Sequence, residues 1–418
     1  MNQLLDDLFR RTSGQIVATL TRILGARNLA LAEEVAQDAL IKALQIWPLE
    51  GVPANPSAWL IQVAKHRALD LLRREQWLAD RAPMLAALDA VPQALHPDVH
   101  LRGEPSLPDD DQLAMMFLAC HPILTREARV ALTLKTVCGF GVAEIARALL
   151  SRDDAIAQRL VRAKRQLRDA DVRFELGPDE YRARLDSVLD AVYLLFNEGY
   201  GAHAGGDLIR SELCHEAIRL ASVLVEHATT STPPVHALLA LMLLQAARLP
   251  ARVGASSDLL TLADQDRTLW DREMIARGLV HLNRSADGDK LTPYHVEAGI
   301  AVAHATAESY AATDWRRIVE LYDVLLEINP TPVVALNRGI AISRSRGPKA
   351  GLDAVSAIVR TGALRDYYLL PATLGELSRE CGDVAAAAMH YRAALACRCS
   401  EPERRFLERR LADVVVSH

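Results

Sequence analysis

Between Leu31 and Glu75 apolar residues recur at helical spacing on both sides of a short proline-bounded break, a pattern that a pair of helices satisfies. In LALAEEVAQDALIKALQIW, Val35, Ala39, Leu40, Ala43, Leu44 and Trp47 share one face. Glu33, Glu34, Gln37, Asp38 and Lys42 share the opposite one. A constrained loop, PLEGVPANP, follows from Pro48 to Pro56. The next helix, SAWLIQVAKHRALDLLRRE, turns Trp59, Leu60, Val63, Ala64 and Leu71 inward and ends in a basic tip at Arg73 and Arg74. An acidic-faced helix, a stiff loop and a basic-ended helix suit a segment that docks on a protein while touching a polyanion.

The same helical bias runs through the whole chain. Alanine, leucine and arginine are abundant, while glycine, proline and β-branched residues are sparse. With 418 residues the chain exceeds one ordinary core, so two or three domains are expected. The formal charge of −5 means that any nucleic-acid surface is local. The six cysteines lack disulfide spacing, and Cys397-x-Cys399 without a second pair is a poor zinc site. Buried or half-buried free thiols in a reducing cytosol are expected. No signal pattern and no apolar run of membrane-spanning length is legible, so a cytoplasmic protein with no membrane contact is expected.

Residues 5–24 read as a first helix, with Gly14 a weak interior point and Leu8, Ile16, Leu20, Ile23 and Leu24 free to pack on the next helix. From about Gln76 to Leu107 prolines interrupt every pattern and acids gather at the end, which predicts a linker with one short helix near Met84–Ala90. A second helical domain runs from about Gln112 to Arg173. Thr125 is a candidate N-cap with Glu127 in the first turn. After Gly139 and Gly141 come a short helix (VAEIARALL), a turn at Ser151-Arg152 and a longer helix, DDAIAQRLVRAKRQLRD. This is helix-turn-helix spacing. Ile156, Leu160, Ala163 and Leu167 are expected inward, with Gln158, Arg159, Arg162, Lys164, Arg165 and Arg168 outside. Such a basic side suits the DNA major groove, and equally a solvated amphipathic helix.

Beyond Pro178 helix follows helix. Leu374-Gly375, Gly382-Asp383, Ala387, Tyr391 and Ala394 fall at tetratricopeptide (TPR) positions, and Tyr322, Val355 and Tyr391 recur near that period. The stretch DLLTLADQDRTLW is less regular and is read as partly extended. YLLFNEGY (Tyr193–Tyr200) reads as a helix end at Asn197 and Gly199, suited to a groove or a buried hinge. No constellation reads as catalytic: no nucleophile and base, no phosphate loop, no metal-ligand set and no cofactor site. Asp264, Asp266 and Asp271 are expected as helix caps, and an enzyme is not expected.

Together these motifs resemble bacterial sigma factors of the extracytoplasmic-function type. AEEVAQDALIKALQIW with PSAWLIQVAKHRALDLLRRE resembles their region 2, and LTREARVALTLKTVCGFGVAEIARALLSRDDAIAQRLVRAKRQLR resembles their region 4. The tail looks like the extension of the subgroup that carries a TPR-like domain. The resemblance implies an all-α chain in these parts: region 2 over 1–76, an acidic linker over 77–110, a region 4 helix-turn-helix over 111–175, and a TPR-like α-solenoid over 180–418. It implies that Glu33, Glu34, Gln37, Asp38 and Lys42 meet the β′ clamp of core RNA polymerase. Asn55, Lys65, His66, Arg67, Arg73 and Arg74 would serve the −10 promoter element, where a base flips out of the stack. Arg152, Ala155, Gln158, Arg159, Arg162 and Arg165 would serve the −35 element. His66 stands where asparagine is common, and Asp153-Asp154-Ala155 where Ser or Thr is usual. Expected partners are the polymerase core (β′ clamp and β flap), promoter DNA and a regulatory protein on the TPR-like part. Two other readings stay open: a helix-turn-helix regulator with a TPR sensor, and a TPR scaffold.

Overall fold

The structure is a computed structural model, and it describes residues 2–74, 109–149, 151–201, 209–254 and 259–416. The expected short helix at Met84–Ala90 and most of the expected linker lie outside those residues. The described chain is all-α. The partly extended stretch contributes an isolated bridge between Val253 and Leu259 and a 3-10 turn at Arg267–Leu269. The chain divides into two compact units, 1–194 with 227–230, and 195–226 with 231–418. The expected region 2 and region 4 segments therefore share one unit.

The first unit starts with α1 (Asn2–Leu24), α2 (Leu29–Glu50) and α3 (Pro56–Arg74). Ile16, Leu20 and Leu24 of α1, Val35, Ala36, Ala39, Ala43 and Trp47 of α2, and Leu60, Ile61, Ala64 and Ala68 of α3 are buried. Two expectations for α2 need correction. The helix carries Pro48 inside its last turn and stops at Gly51, whose φ of 89° suits glycine, so the loop begins later than Pro48. Leu44, expected inside, is 60 % exposed, because the core-facing stripe is made by the alanines one position earlier.

Four further helices complete this unit before the shared helix: α4 (Asp109–Ala119), α5 (Arg126–Thr136), α6 (Val142–Ala148) and α7 (Asp153–Asp169). The acids expected to end the linker instead open α4. Among them Asp111 is 5 % exposed and accepts from Thr19 Oγ1 (3.1 Å) and Arg22 Nε (2.9 Å) of α1. Thr125 caps α5 by accepting from Ala128 N at 3.3 Å, as expected. Gly14, expected as a weak point, is a site of close approach. A Cβ there would lie 2.3 Å from the Val137 carbonyl oxygen at the end of α5. Helix α8 (Pro178–Tyr200) places Tyr181 edge-on to Phe117 (4.8 Å) and Asp190 on Arg126 (3.1 Å). It runs through Asn197 and Gly199 rather than ending there; Gly199 allows the backbone of Arg210 and Cys214 to approach.

The second unit is a succession of antiparallel helix pairs: α9 (Ser211–Glu226), α10 (Pro233–Ala246), α11 (Arg272–Ser285), α12 (Pro293–Ala305), α13 (Trp315–Ile328), α14 (Pro332–Arg346), α15 (Pro348–Arg360), α16 (Leu369–Glu380), α17 (Val384–Ala396) and α18 (Glu401–Val416). Small residues set the spacing. Gly339 faces Val355, Gly351 faces Ser343, and a Cβ on Gly375 would meet the Tyr391 ring at 2.9 Å. Tyr391 is buried and its hydroxyl donates to Glu376 at 2.6 Å. Asp266 and Asp271 cap helical turns, as expected. Cys120, Cys138 and Cys214 are buried and Cys397 and Cys399 half-buried; Cys381 is exposed, against expectation, because it follows the last turn of α16. One expectation on membranes is corrected: Pro233–Ala251 is long and apolar enough to cross a membrane by length and composition, and 78 % of that window is buried inside the protein.

Two substitutions test these close approaches. Gly14→Ala should destabilise the first unit by about 1–3 kcal/mol, since a backbone carbonyl has little room to retreat. Gly375→Ala should do the same to the second. Thermal unfolding of each variant, followed by circular dichroism, measures the loss; unchanged midpoints would contradict the packing described.

Candidate polymerase and nucleic-acid interface

The residues expected to meet polymerase divide once the fold is in view. Glu34, Gln37 and Lys42 are exposed on α2. Glu33 is not: it is 8 % exposed, and one carboxylate oxygen accepts from Lys164 Nζ of α7 at 2.5 Å. Its other oxygen is buried without a hydrogen-bond partner. Sequence periodicity put Glu33 and Lys164 on outer faces; folding turns these two faces toward each other. Asp38 is half-buried and accepts from Arg67 Nε of α3 at 2.6 Å, which raises the pKa of that guanidinium. The expected polymerase face and the expected −10 helix are thus joined by an ion pair.

An apolar feature of α2 escaped the sequence reading. Ile41 is 54 % exposed, and with Leu44 it continues the line of Glu34 and Gln37 at spacings of three and four residues. The signal was present, because Ile41 lies on the side of the helix opposite the stripe of Ala32, Val35, Ala36, Ala39 and Ala43 at 3.6 residues per turn. Leu49 and Val52 extend the exposed apolar surface past the helix end.

Asn55 has a local task. Its Oδ1 accepts from Ala58 N at 3.0 Å and so caps α3, ahead of Pro56 at the first helical position. Trp47 meets Trp59 edge to face at 5.6 Å, in line with the expectation that both are structural. Lys65 is half-buried and His66 exposed. The side chains of Arg73 and Arg74 lie outside what the structure describes.

On α7, Ile156, Leu160, Ala163 and Leu167 are buried, as their spacing predicts. Gln158, Arg162 and Arg165 are exposed, while Ala155 and Arg159 are half-buried. Arg152 pairs with Asp154 (3.1 Å) and Arg165 with Asp169 (3.3 Å), both largely in solvent, where such pairs contribute little. Arg162 therefore stands among exposed cations at the centre of the basic side. Glu144 accepts from Gly141 N at 2.6 Å and fixes the start of α6. A third exposed pair, Arg27–Asp171 (2.8 Å), ties the turn before α2 to the residues after α7.

The Glu33–Lys164 pair can be weighed by a double-mutant cycle. Lys164→Met alone should destabilise the first unit by roughly 1–3 kcal/mol, because it strands a buried carboxylate. Adding Glu33→Gln should recover part of that loss. Additive effects in urea unfolding would show that the two side chains do not interact.

Comparison with known proteins agrees with this geometry. Residues 8–78 match the sigma-70 region 2 family, a span that starts within α1 and takes in all of α2 and α3. Residues 184–286 match a family of unknown function, DUF6596. An uncharacterized protein of Rhizobium meliloti is 36 % identical over 391 residues, 92 % of this chain and 90 % of its own length. No solved structure matches. A sigma-70 region 2 domain points to a sigma-type role in transcription initiation, and to a regulatory transcription factor rather than an enzyme. The chain belongs to one family with the Rhizobium protein, and its first three helices are a sigma-70 region 2 domain.

Proposed function

We propose that this chain is an alternative sigma factor of the extracytoplasmic-function type, which recruits core RNA polymerase through α2 and reads promoter DNA through α3 and α7. The observation that carries the reading is the exposed stripe Glu34, Gln37, Ile41 and Leu44 on a region 2 helix. Solvated faces of helices are mostly polar, and two large aliphatic residues a turn apart on one are less usual. A line that begins in acids and amides and ends in two large aliphatic residues suits a protein partner, with an apolar centre and a polar rim. Here that partner is the β′ clamp of the polymerase.

In this reading the basic side of α7, with Arg162 at its centre, enters the major groove of the −35 element, and α6 with its turn serves as the first half of a helix-turn-helix. The turn after α2 and the exposed side of α3 serve the −10 element. The Glu33–Lys164 pair links a residue of the polymerase face to one of the −35 helix, so separating α2 from α7 frees both at once. The helix pairs of the second unit act as a TPR-like regulatory module that takes a protein partner, and the protein works in the cytoplasm.

Run-off transcription with sigma-free core polymerase and a promoter library tests the reading. Transcripts from a defined subset of promoters are expected; no transcript, with no co-purification with core, would sink it. Ile41→Glu and Leu44→Glu should each weaken binding to core while leaving the unfolding temperature unchanged, as measured by surface plasmon resonance and circular dichroism. Arg162→Ala should cost promoter binding about 1–3 kcal/mol at fixed salt if it reads a base, and less if it touches phosphate alone.

A further inference from the structure

The second unit gathers cations around one buried indole, without a counter-charge among the described residues. Arg248 follows the end of α10, Arg267 opens the 3-10 turn Arg267–Leu269, Trp270 comes directly after that turn, and His304 sits in the last turn of α12. The guanidinium carbon of Arg267 is 4.4 Å from the Trp270 ring centroid and that of Arg248 is 5.4 Å from it. Arg267 is held in place, since its Nη1 donates to the carbonyls of His304 and Ala307, each at 2.8 Å. Arg248 Nη1 reaches Gln245 Oε1 at 3.5 Å, the outer limit of a hydrogen bond.

Four polar atoms of the group lack a partner among the described residues. Arg248 Nε, Arg267 Nη2, Trp270 Nε1 and His304 Nδ1 are all buried without a hydrogen-bond partner. The carboxylates closest in sequence make local bonds: Asp264 accepts from the Thr261 hydroxyl (2.5 Å), Asp266 from Thr268 N (2.8 Å) and Asp271 from Met274 N (2.9 Å). Among the described residues neither Arg248 nor Arg267 has an ion-pair partner. The electrostatics carry the same mark. Burial, then Arg248 and Arg267, push the His304 pKa down to about 4, so its imidazole is neutral at ordinary pH. Burial, then Arg248 and Arg272, lower that of Arg267.

Buried donors without acceptors and two guanidiniums without a carboxylate are each destabilising. Stacking on an indole offsets part of the charge cost and satisfies none of the N–H groups. One kind of group meets all of these demands together. It is an anion with several acceptor oxygens, which matches the planar fork of a guanidinium and accepts from an indole N–H as well. We propose that Arg248, Arg267, Trp270 and His304 form a binding site for the phosphate or carboxylate group of a small ligand. A small ligand suffices, because both arginines lie over one indole and a single oxyanion supplies several acceptors at one point. The site is independent of how the N-terminal helices are read, and it would give the second unit a chemical signal to sense.

The test uses the full chain, with inorganic phosphate and citrate as probes and sodium chloride at matched ionic strength as the reference. One of the two probes should bind saturably in titration calorimetry and raise the unfolding temperature where chloride does not. Which one does so separates a phosphate site from a carboxylate site. Arg248→Gln and Arg267→Gln should each weaken that binding at least ten-fold, while Arg360→Gln, on the exposed end of α15, should leave it unchanged. Should the glutamine variants fold poorly, Arg248→Lys and Arg267→Lys keep the charge and remove the fork, and the same weakening is expected. The proposal is overturned if neither probe differs from chloride, or if folded arginine variants bind as the parent does; the arginines would then be packing for Trp270 alone.

Discussion

A carboxylate withdrawn from water needs a cation close by, and the first unit is arranged around two that found theirs across long stretches of chain. Glu33 of α2 is paired with Lys164 of α7, 131 positions away, and Asp111 of α4 is held by Arg22 and Thr19 of α1. Both carboxylates are nearly inaccessible to solvent. Burying them is tolerated only because each partner arrives with the right geometry, so the pairs select one arrangement of the helices more than they add stability. That arrangement makes a single compact unit of segments the sequence separates by a proline-rich stretch.

The second unit is held by a different rule. Its helices approach through glycine and alanine, with Val355, Ser343 and Tyr391 each filling the space that a glycine opposite leaves free. Contacts of this kind are local to neighbouring pairs, so the array can lengthen without a central core. The cluster at Trp270 breaks the pattern. It holds two arginines that have no carboxylate among the described residues, whereas Arg338 and Arg344 each pair with one, and its hydrogen bonds are incomplete. Deviations from local consistency of that sort tend to mark function, since folding alone gives no reason to keep them.

Much of this was legible beforehand. The N-cap at Thr125 follows from residues within one turn, and the buried stripe Ile156, Leu160, Ala163 and Leu167 from the helical period; Gly375 and Tyr391 were read only as repeat positions. Several of the errors share one cause. Gly14 looked like a weak point because its partner is the carbonyl of Val137, more than a hundred residues on. Glu33 and Lys164 looked like surface charges for the same reason. Leu44 was placed inside because an apolar residue at helical spacing was assumed to face the core, and the neighbouring alanines took that place. Arg248, Arg267 and His304 carry no motif at all; nothing in their order along the chain brings them to one indole.

The sequence by itself determined that the described residues fold as helices and where some of them begin, as at Thr125, though not where α2 and α8 end. It also carried the region 2 pattern, because the period of 3.6 residues and the caps act within a few positions of chain. Tertiary structure alone decided which charges are buried, which of the outward faces stay outward, and which donors are left without acceptors. Those outcomes rest on contacts between residues far apart in the chain, and α2 with its acidic face turned partly to α7 is the plainest case.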